Sequence, residues 1–351
     1  MKACDIGTYD LVIKNGCVLS FRPEPQFQQA DIGIKNGKLH KICPAENCPA
    51  SSGNSPLAGK KTLDAAGCVV SPGFIDFHSH VVGNIYAAEC LVRQGATTTM
   101  GGERNFDGSI INQIRDHGFL MNHGFYLSHA FTLRNAVGIF DPHRPANEKE
   151  VQIMLRLAEK FFQSGSFGIY FGLELAPGTS KREMTALSEL ARHYDKKILV
   201  HLRKDGLEAL DAVSEAIENA AVSNGSIHIL HLMYMAGHKE LMAKCLELIK
   251  RAIEKGIDIS ADTGLYDAFP AYIGSPILDG IENKGNLLEG YDADLVIFDY
   301  SEIADHARYV NLGLPDEPPA GIRYVIINGD LVLADGAFTE KRNSGRLLLQ
   351  K

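Results

Sequence analysis

The sequence predicts an α/β fold: a TIM-like (β/α) barrel that lacks a recognisable eighth strand, set beside a small β-sandwich built from both chain ends. Three observations predict it. From about Ser71 to about Gly280, apolar β runs alternate with amphipathic helical segments, which implies βαβ units and a parallel sheet. Both chain ends read instead as short strands joined by Gly turns. The Gly-rich phosphate-binding turn of a dinucleotide fold is absent from the middle, which favours a barrel over an open doubly wound sheet.

At the front, "YDLVIKNGCVLS", "ADIGIKNGKLHKI" and "KTLDAAGCVV" read as strands. At the back, "ADLVIFD", "IRYVIINGDLVLADG" and "GRLLLQ" do the same. Asn15-Gly16, Asn36-Gly37 and Asn328-Gly329 lie between apolar runs and predict hairpin turns, since both residues tolerate positive φ. The likeness of "LVIKNGCVL" to "YVIINGDLVL" suggests that the ends pair in one unit, residues 1–70 with 285–351, while 71–284 form the barrel. The barrel runs are "GFIDFHSH", "ATTTMGGE", "GFYLSHAF", "FGIYFGLEL", "KKILVHLR", "SIHILHLMY" and "IDISADTG". Between them lie helical patterns such as "EKEVQIMLRLAEKFFQSG", "KREMTALSELARHY", "LEALDAVSEAIENAAVSNG" and "KELMAKCLELIKRAIEKG".

Composition narrows the classes of function. With 351 residues, 45% of them hydrophobic, the chain is long enough to bury a large core. The net charge of -8 comes from interspersed acids, and no basic cluster alternates with aromatics, so nucleic acid is not an expected partner. The seven cysteines are scattered and give no zinc-finger spacing; reduced thiols are expected. The start has no signal-peptide core and no apolar run is long enough to span a bilayer, so the expectation is a cytoplasmic protein without a membrane partner.

In a barrel of this kind, chemistry sits at the carboxyl ends of the strands. The residues there are His78 and His80, Glu103, His129, Tyr170 and Glu174, His201 and Arg203, His231, and Asp262. One residue separates His78 from His80, and regular strand alternation would aim both imidazoles to one side, where they can grip one divalent ion. His201 and His231 end two further buried runs. Four histidines brought to one end without a metal would bury polar rings with few partners, which favours a metal site over structural histidines.

At this point the chain resembles a known family. "LDAAGCVVSPGFIDFHSH", preceded by hairpins, and "KGNLLEGYDADLVIFD" after the barrel resemble the amidohydrolase superfamily of metal-dependent hydrolases. "QGATTTMGGE", "GIYFGLELAPG", "VHLRKDG" and "ILHLMY" are similar to segments of the N-acyl-D-amino-acid deacylases, or D-aminoacylases. The resemblance implies that His78 and His80 bind one metal, that His201 and His231 bind a second, and that Glu103 bridges them. Zinc, one ion or two, is the default, with iron, manganese or cobalt suited to similar sites. The reaction implied is hydrolysis of a C–N amide bond in an N-acyl-D-amino acid by a metal-bound hydroxide. Arg203 either clamps the substrate carboxylate or holds a neighbouring acid, and Tyr170 either faces substrate or packs with its hydroxyl satisfied. His129 has no role in the pattern, and Met233 stands where such deacylases tend to have lysine.

The family's acid/base aspartate ends an eighth barrel strand, and only seven runs are present before the chain returns to the β unit. The favoured explanation is a segment omitted from the sequence near the junction of "PILDG" and "IENKG". The others are a true deletion, with Asp262 or Asp267 as substitute base, and a second subunit that supplies the strand in a homo-oligomer. Asp262 is a weak candidate for the base, its rival role being a hydrogen-bonded loop anchor. Two alternatives stand beside deacylation: cyclic-amide hydrolysis like that of dihydroorotase or hydantoinase, and a non-catalytic metal-binding barrel without its base.

Overall fold

The computed structural model describes residues 8–21, 25–45, 57–79, 81, 84–102, 108–262, 281–306 and 317–350. Its strands in chain order are Tyr9–Ser20 (β1), Gln26–Lys35 (β2), Lys38–Pro44 (β3), Gly59–Asp64 (β4), Val69–Pro72 (β5), Phe74–Ser79 (β6), Ala96–Gly101 (β7), Asn122–Ser128 (β8), Gly168–Gly172 (β9), Lys197–His201 (β10), Ile227–Ile229 (β11), Ile259–Ala261 (β12), Leu295–Phe298 (β13), Ile322–Ile327 (β14), Asp330–Ala334 (β15) and Ala337–Phe338 (β16). The helices are Ile85–Arg93 (α1), Gly108–His117 (α2), Arg134–Ala136 (α3), Glu148–Gln163 (α4), Lys181–His193 (α5), Ala209–Ser223 (α6), Leu232–Ala236 (α7) and Lys239–Glu254 (α8).

Two sheets result. Strands β6 to β12 form a seven-stranded sheet in chain order, every neighbouring pair parallel. Right-twisted parallel strands with helical crossovers curl in this way, and here they give the greater part of a barrel wall. Between the edge strands β6 and β12 no pairing occurs among the described residues. The stretch 263–280, with Asp267 and most of the proposed junction, lies outside those residues.

The chain ends build a nine-stranded sheet in the order β16-β15-β14-β13-β5-β1-β2-β3, with β4 also on β1. Front and back of the sequence meet where β5 pairs antiparallel with β13. Leu11, Ile13, Ile32 and Ile34 from the front share a core with Leu295, Ile297 and Ile326 from the back. Asn36-Gly37 and Asn328-Gly329 turn the β2–β3 and β14–β15 hairpins, all four residues at positive φ.

Asn15-Gly16 behaves differently from the expectation: it is a bulge within the continuous β1, not a turn. The Asn15 amide donates to Asp31 Oδ1 at 2.8 Å and its side chain to Asp64 Oδ1 at 2.9 Å, so strands on both sides satisfy it. A Cβ on Gly16 would stand 2.5 Å from Val70 Cγ2, so the bulge sits where the next strand presses closest. The cysteine expectation also needs correction, because Cys43 is disulfide-bonded while Cys17, Cys68, Cys90 and Cys245 are free thiols. None of the described helices is long and apolar enough to cross a membrane.

The strand interior and exterior sort cleanly. Ile198, Val200, Ile227 and Ile229 face outward into a core with α4, α5, α6 and α8. Met100, Tyr126, Phe167, Tyr170, Leu199 and Leu230 fill the barrel interior. Leu348, from the C-terminal tail, packs against that interior cluster from the chain end. Helix starts follow capping chemistry: Asn147 with Glu150 and Ser180 with Glu183 both make reciprocal capping boxes.

Candidate metal centre

His78 is delivered by β6 through an irregularity. Register between β6 and β7 shifts between Asp76 and Ser79, so strict alternation fails there. Phe77 packs against the barrel-interior cluster, and the adjacent His78 stacks on the interior Tyr170 with ring centroids 5.9 Å apart. His80 lies outside the described residues, as do Glu103 and Arg104. Just before Glu103, Gly102 has φ +141, and a Cβ there would stand 2.1 Å from the Tyr126 carbonyl oxygen, so the backbone must pass close to β8.

His201 ends β10 between the outward Val200 and Leu202, its own ring turned into the barrel mouth. Its Nε2 meets Glu174 Oε2 at 2.5 Å. His231 follows β11 by two residues, at φ 37. The three rings converge: His201 and His231 have centroids 4.7 Å apart, and His78 and His231 5.1 Å. Two imidazoles that share an ion at 2.0–2.1 Å per Zn–N contact have centroids about 5 Å apart, so each pair fits the chemistry of a divalent cation. Among the described residues, no three His, Cys, Asp or Glu side chains are assembled closely enough to hold an ion by themselves.

The other expected site residues fall in different places. Tyr170 is 1% exposed and forms a wall behind His78. Arg203 holds a neighbouring acid: Nε and Nη2 donate to the Glu215 carboxylate at 2.9 and 2.8 Å, and Nη1 donates to the Pro177 carbonyl at 2.6 Å. Asp262 follows β12, its Oδ2 accepting from His228 Nε2 at 3.0 Å and its Oδ1 accepting from the His231 backbone amide. Burial alone would raise the Asp262 carboxyl, but the His228 contact and the His231 amide hold it below the ordinary carboxylate value.

His129 lies apart from this cluster. It opens a π-helical turn, His129–Leu133, and its Nε2 meets Glu183 Oε1 at 2.8 Å, where Arg134 Nη1 donates to the same oxygen at 2.9 Å. All three side chains are buried, and Glu183 also stands at the third position of α5. Burial pushes the His129 imidazole below its usual value despite the acid beside it.

Sequence reasoning missed His228 and the Glu174–His201 contact. His228 sits in the middle of "SIHILHL" with a side chain 2% exposed, and its inward aim follows from Ile227 and Ile229 facing outward. That period of two was the available signal.

Comparison with known proteins agrees with this architecture. The amidohydrolase family matches residues 69–257. An N-acyl-D-glutamate deacylase of Alcaligenes xylosoxydans xylosoxydans is 24% identical over 72% of this chain and 56% of its own length, so the chain spans little more than half of that curated relative. Among solved structures, an N-acyl-D-glutamate deacylase from Bordetella bronchiseptica, complexed with zinc and a phosphonate inhibitor, superposes with a TM-score of 0.82 at 17% identity, covering 98% of this chain and 100% of that one. A D-aminoacylase crystal structure gives 0.79 at 20% identity, with 98% and 100% covered. With the family match over residues 69–257 and histidines gathered at the strand ends, the chain belongs to the amidohydrolase family.

Proposed function

We propose that this protein hydrolyses the amide C–N bond of N-acyl-D-amino acids, using a divalent metal, zinc by default and one ion or two, held by His78, His80, Glu103, His201 and His231. The observation that carries the proposal is the meeting of His78, His201 and His231, from three separate strands, at one end of one parallel sheet. The likeness to an N-acyl-D-glutamate deacylase supports the substrate class. A bound divalent cation at such a site supplies Lewis acidity toward the scissile carbonyl and eases deprotonation of water near neutral pH.

Two further residues of the chain shape the surroundings of the site. Tyr170 backs His78 and closes one side of the interior to water. Arg203 anchors the loop after β10, with three of its five N–H groups on Glu215 and Pro177. The reading places the chemistry in residues 71–284, with 1–70 and 285–351 as the second unit. Its partner is a small N-acyl amino acid, and a second copy of the chain would complete the barrel wall if the eighth strand is supplied between subunits.

Purified protein loaded with zinc, its metal content measured in parallel, should release amino acid from N-acyl-D-amino acids in preference to the L forms, dihydroorotate and hydantoins. Turnover of the ring substrates alone would reassign the chain to cyclic amides. Zinc-loaded protein inert to the whole panel would overturn the hydrolase proposal and leave a metal-binding barrel.

A further inference from the structure

Among the described histidines of the cluster, His231 alone has a left-handed backbone, at φ 37. A side chain with a Cβ is crowded in this region, and such a conformation persists only where its surroundings over-determine it. The surroundings here are specific. Leu230 N donates to Val200 O at 3.0 Å on one side, and Leu232 N donates to Asp262 O at 2.8 Å on the other. Asp262 itself is fixed by its amide, which donates to Ile229 O at 3.0 Å. From that position its carboxylate bends back and accepts from the amide of His231 itself.

The second carboxylate oxygen is engaged in turn. Asp262 Oδ2 meets His228 Nε2 at 3.0 Å, and His228 Nδ1 meets Ser260 Oγ at 2.8 Å. A carboxylate only accepts, so Nε2 carries the proton, and Nδ1 shares its hydrogen bond with the serine hydroxyl. Ser260 and His228 are buried neighbours on β12 and β11, held in register by the ladder between those strands. A continuous relay of hydrogen bonds therefore runs from Ser260 through His228 and Asp262 to the backbone of His231.

We propose that Asp262 and His228 are positioning residues, which lock the backbone of His231 in the left-handed conformation that presents its imidazole beside His78 and His201. Both carboxylate oxygens of Asp262 accept within this relay. The role of the imidazole as a metal ligand rests on the function proposed above; the locking of the backbone does not.

Two readouts separate these levels. In metal-free protein, hydrogen exchange should show the His231 amide protected in the wild type and in Asp262→Asn, and exposed in Asp262→Ala. Asparagine keeps an oxygen for the amide and offers its NH2 to His228 in the opposite tautomer. Zinc affinity, from competition with a chromophoric chelator, should fall about 10–100-fold in Asp262→Ala and recover to near the wild-type value in Asp262→Asn. His228→Leu leaves Asp262 in place and should give an intermediate loss, which keeps the test open if Asp262→Ala does not fold.

Unchanged protection of the His231 amide in both Asp262→Ala and His228→Leu would overturn the proposal. So would an Asp262→Asn variant as weak for zinc as Asp262→Ala, since charge and not hydrogen-bond geometry would then be what matters. Wild-type protein that binds no zinc, yet protects the His231 amide through Asp262, would refute the metal centre and uphold the lock.

Discussion

His123 is the residue through which pH should act most visibly on stability. Its ring is buried on β8, and burial pushes its pKa from 6.5 down to about 4. The folded state holds it neutral, while the unfolded chain takes up a proton below about 6.5. The stability tied to this ring is therefore fully present above pH 6.5 and drains away as the pH falls to about 4, by on the order of 3 kcal/mol. Urea denaturation across that range should show the decline, and His123→Phe should flatten it. The buried Glu183–His129 pair acts in the same sense, with the carboxyl held low and the imidazole pushed low. The positions of His78, His201 and His231 were legible in the sequence because each closes an apolar run. What each carboxylate does was not legible: Glu174 and Asp262 both sit at strand ends, yet Glu174 meets the His201 imidazole while Asp262 spans the His228 imidazole and a backbone amide.

At the scale of elements, the loop after β10 is tied to α6 by the Arg203–Glu215 pair, whose side chains are 16% and 20% exposed. Losing either partner leaves a largely buried charge unmatched. Glu215→Ala and Arg203→Ala should each lower the unfolding free energy by about 2 kcal/mol in urea titrations. An Arg203→Ala protein of unchanged stability and a raised KM would restore Arg203 to the role of substrate clamp. Helices α4, α5, α6 and α8 fell where their amphipathic period put them, because each buries one stripe against the same outer layer of strand side chains. The bulge at Asn15-Gly16 did not announce itself, since Asn-Gly carries the same local signal whether the chain reverses or merely kinks. The choice lay with Asp31 and Asp64, which come from strands far along the chain. Register also shifts between β6 and β7, and both Phe77 and His78 turn inward, where alternation alone would have separated them.

Across the whole molecule, one buried polar knot joins the two sheets. Asn122 at the start of β8 donates to Asp294 Oδ2 at 2.9 Å and accepts from Asn328 Nδ2 at 2.7 Å, while the Asn328 amide donates to Asp294 Oδ1 at 2.7 Å. Lys284, with a side chain 2% exposed, pairs with both Asp292 and Asp294. Asn122→Ala removes several of these bonds at once and leaves their partners buried, so it should cost about 2–4 kcal/mol in urea denaturation. The alternation of strands and helices made the parallel sheet readable, and the matching Gly turns made the union of the chain ends readable. This knot was not, because Asn122, Asp294 and Asn328 look like ordinary turn residues until the fold brings them together.

The tail beneath the barrel has a consequence in time. Leu348 donates its amide to the His123 carbonyl, Gln350 donates to the Gly165 carbonyl, and Arg346 donates to Asn122 Oδ1 across a separation of 224 residues. At a ribosomal pace of roughly 5–20 residues per second, the strands above this floor wait on the order of tens of seconds before the segment that seals it emerges. Throughout that interval the inner aromatics of the nascent barrel lack the Leu348 contact that covers them in the folded chain.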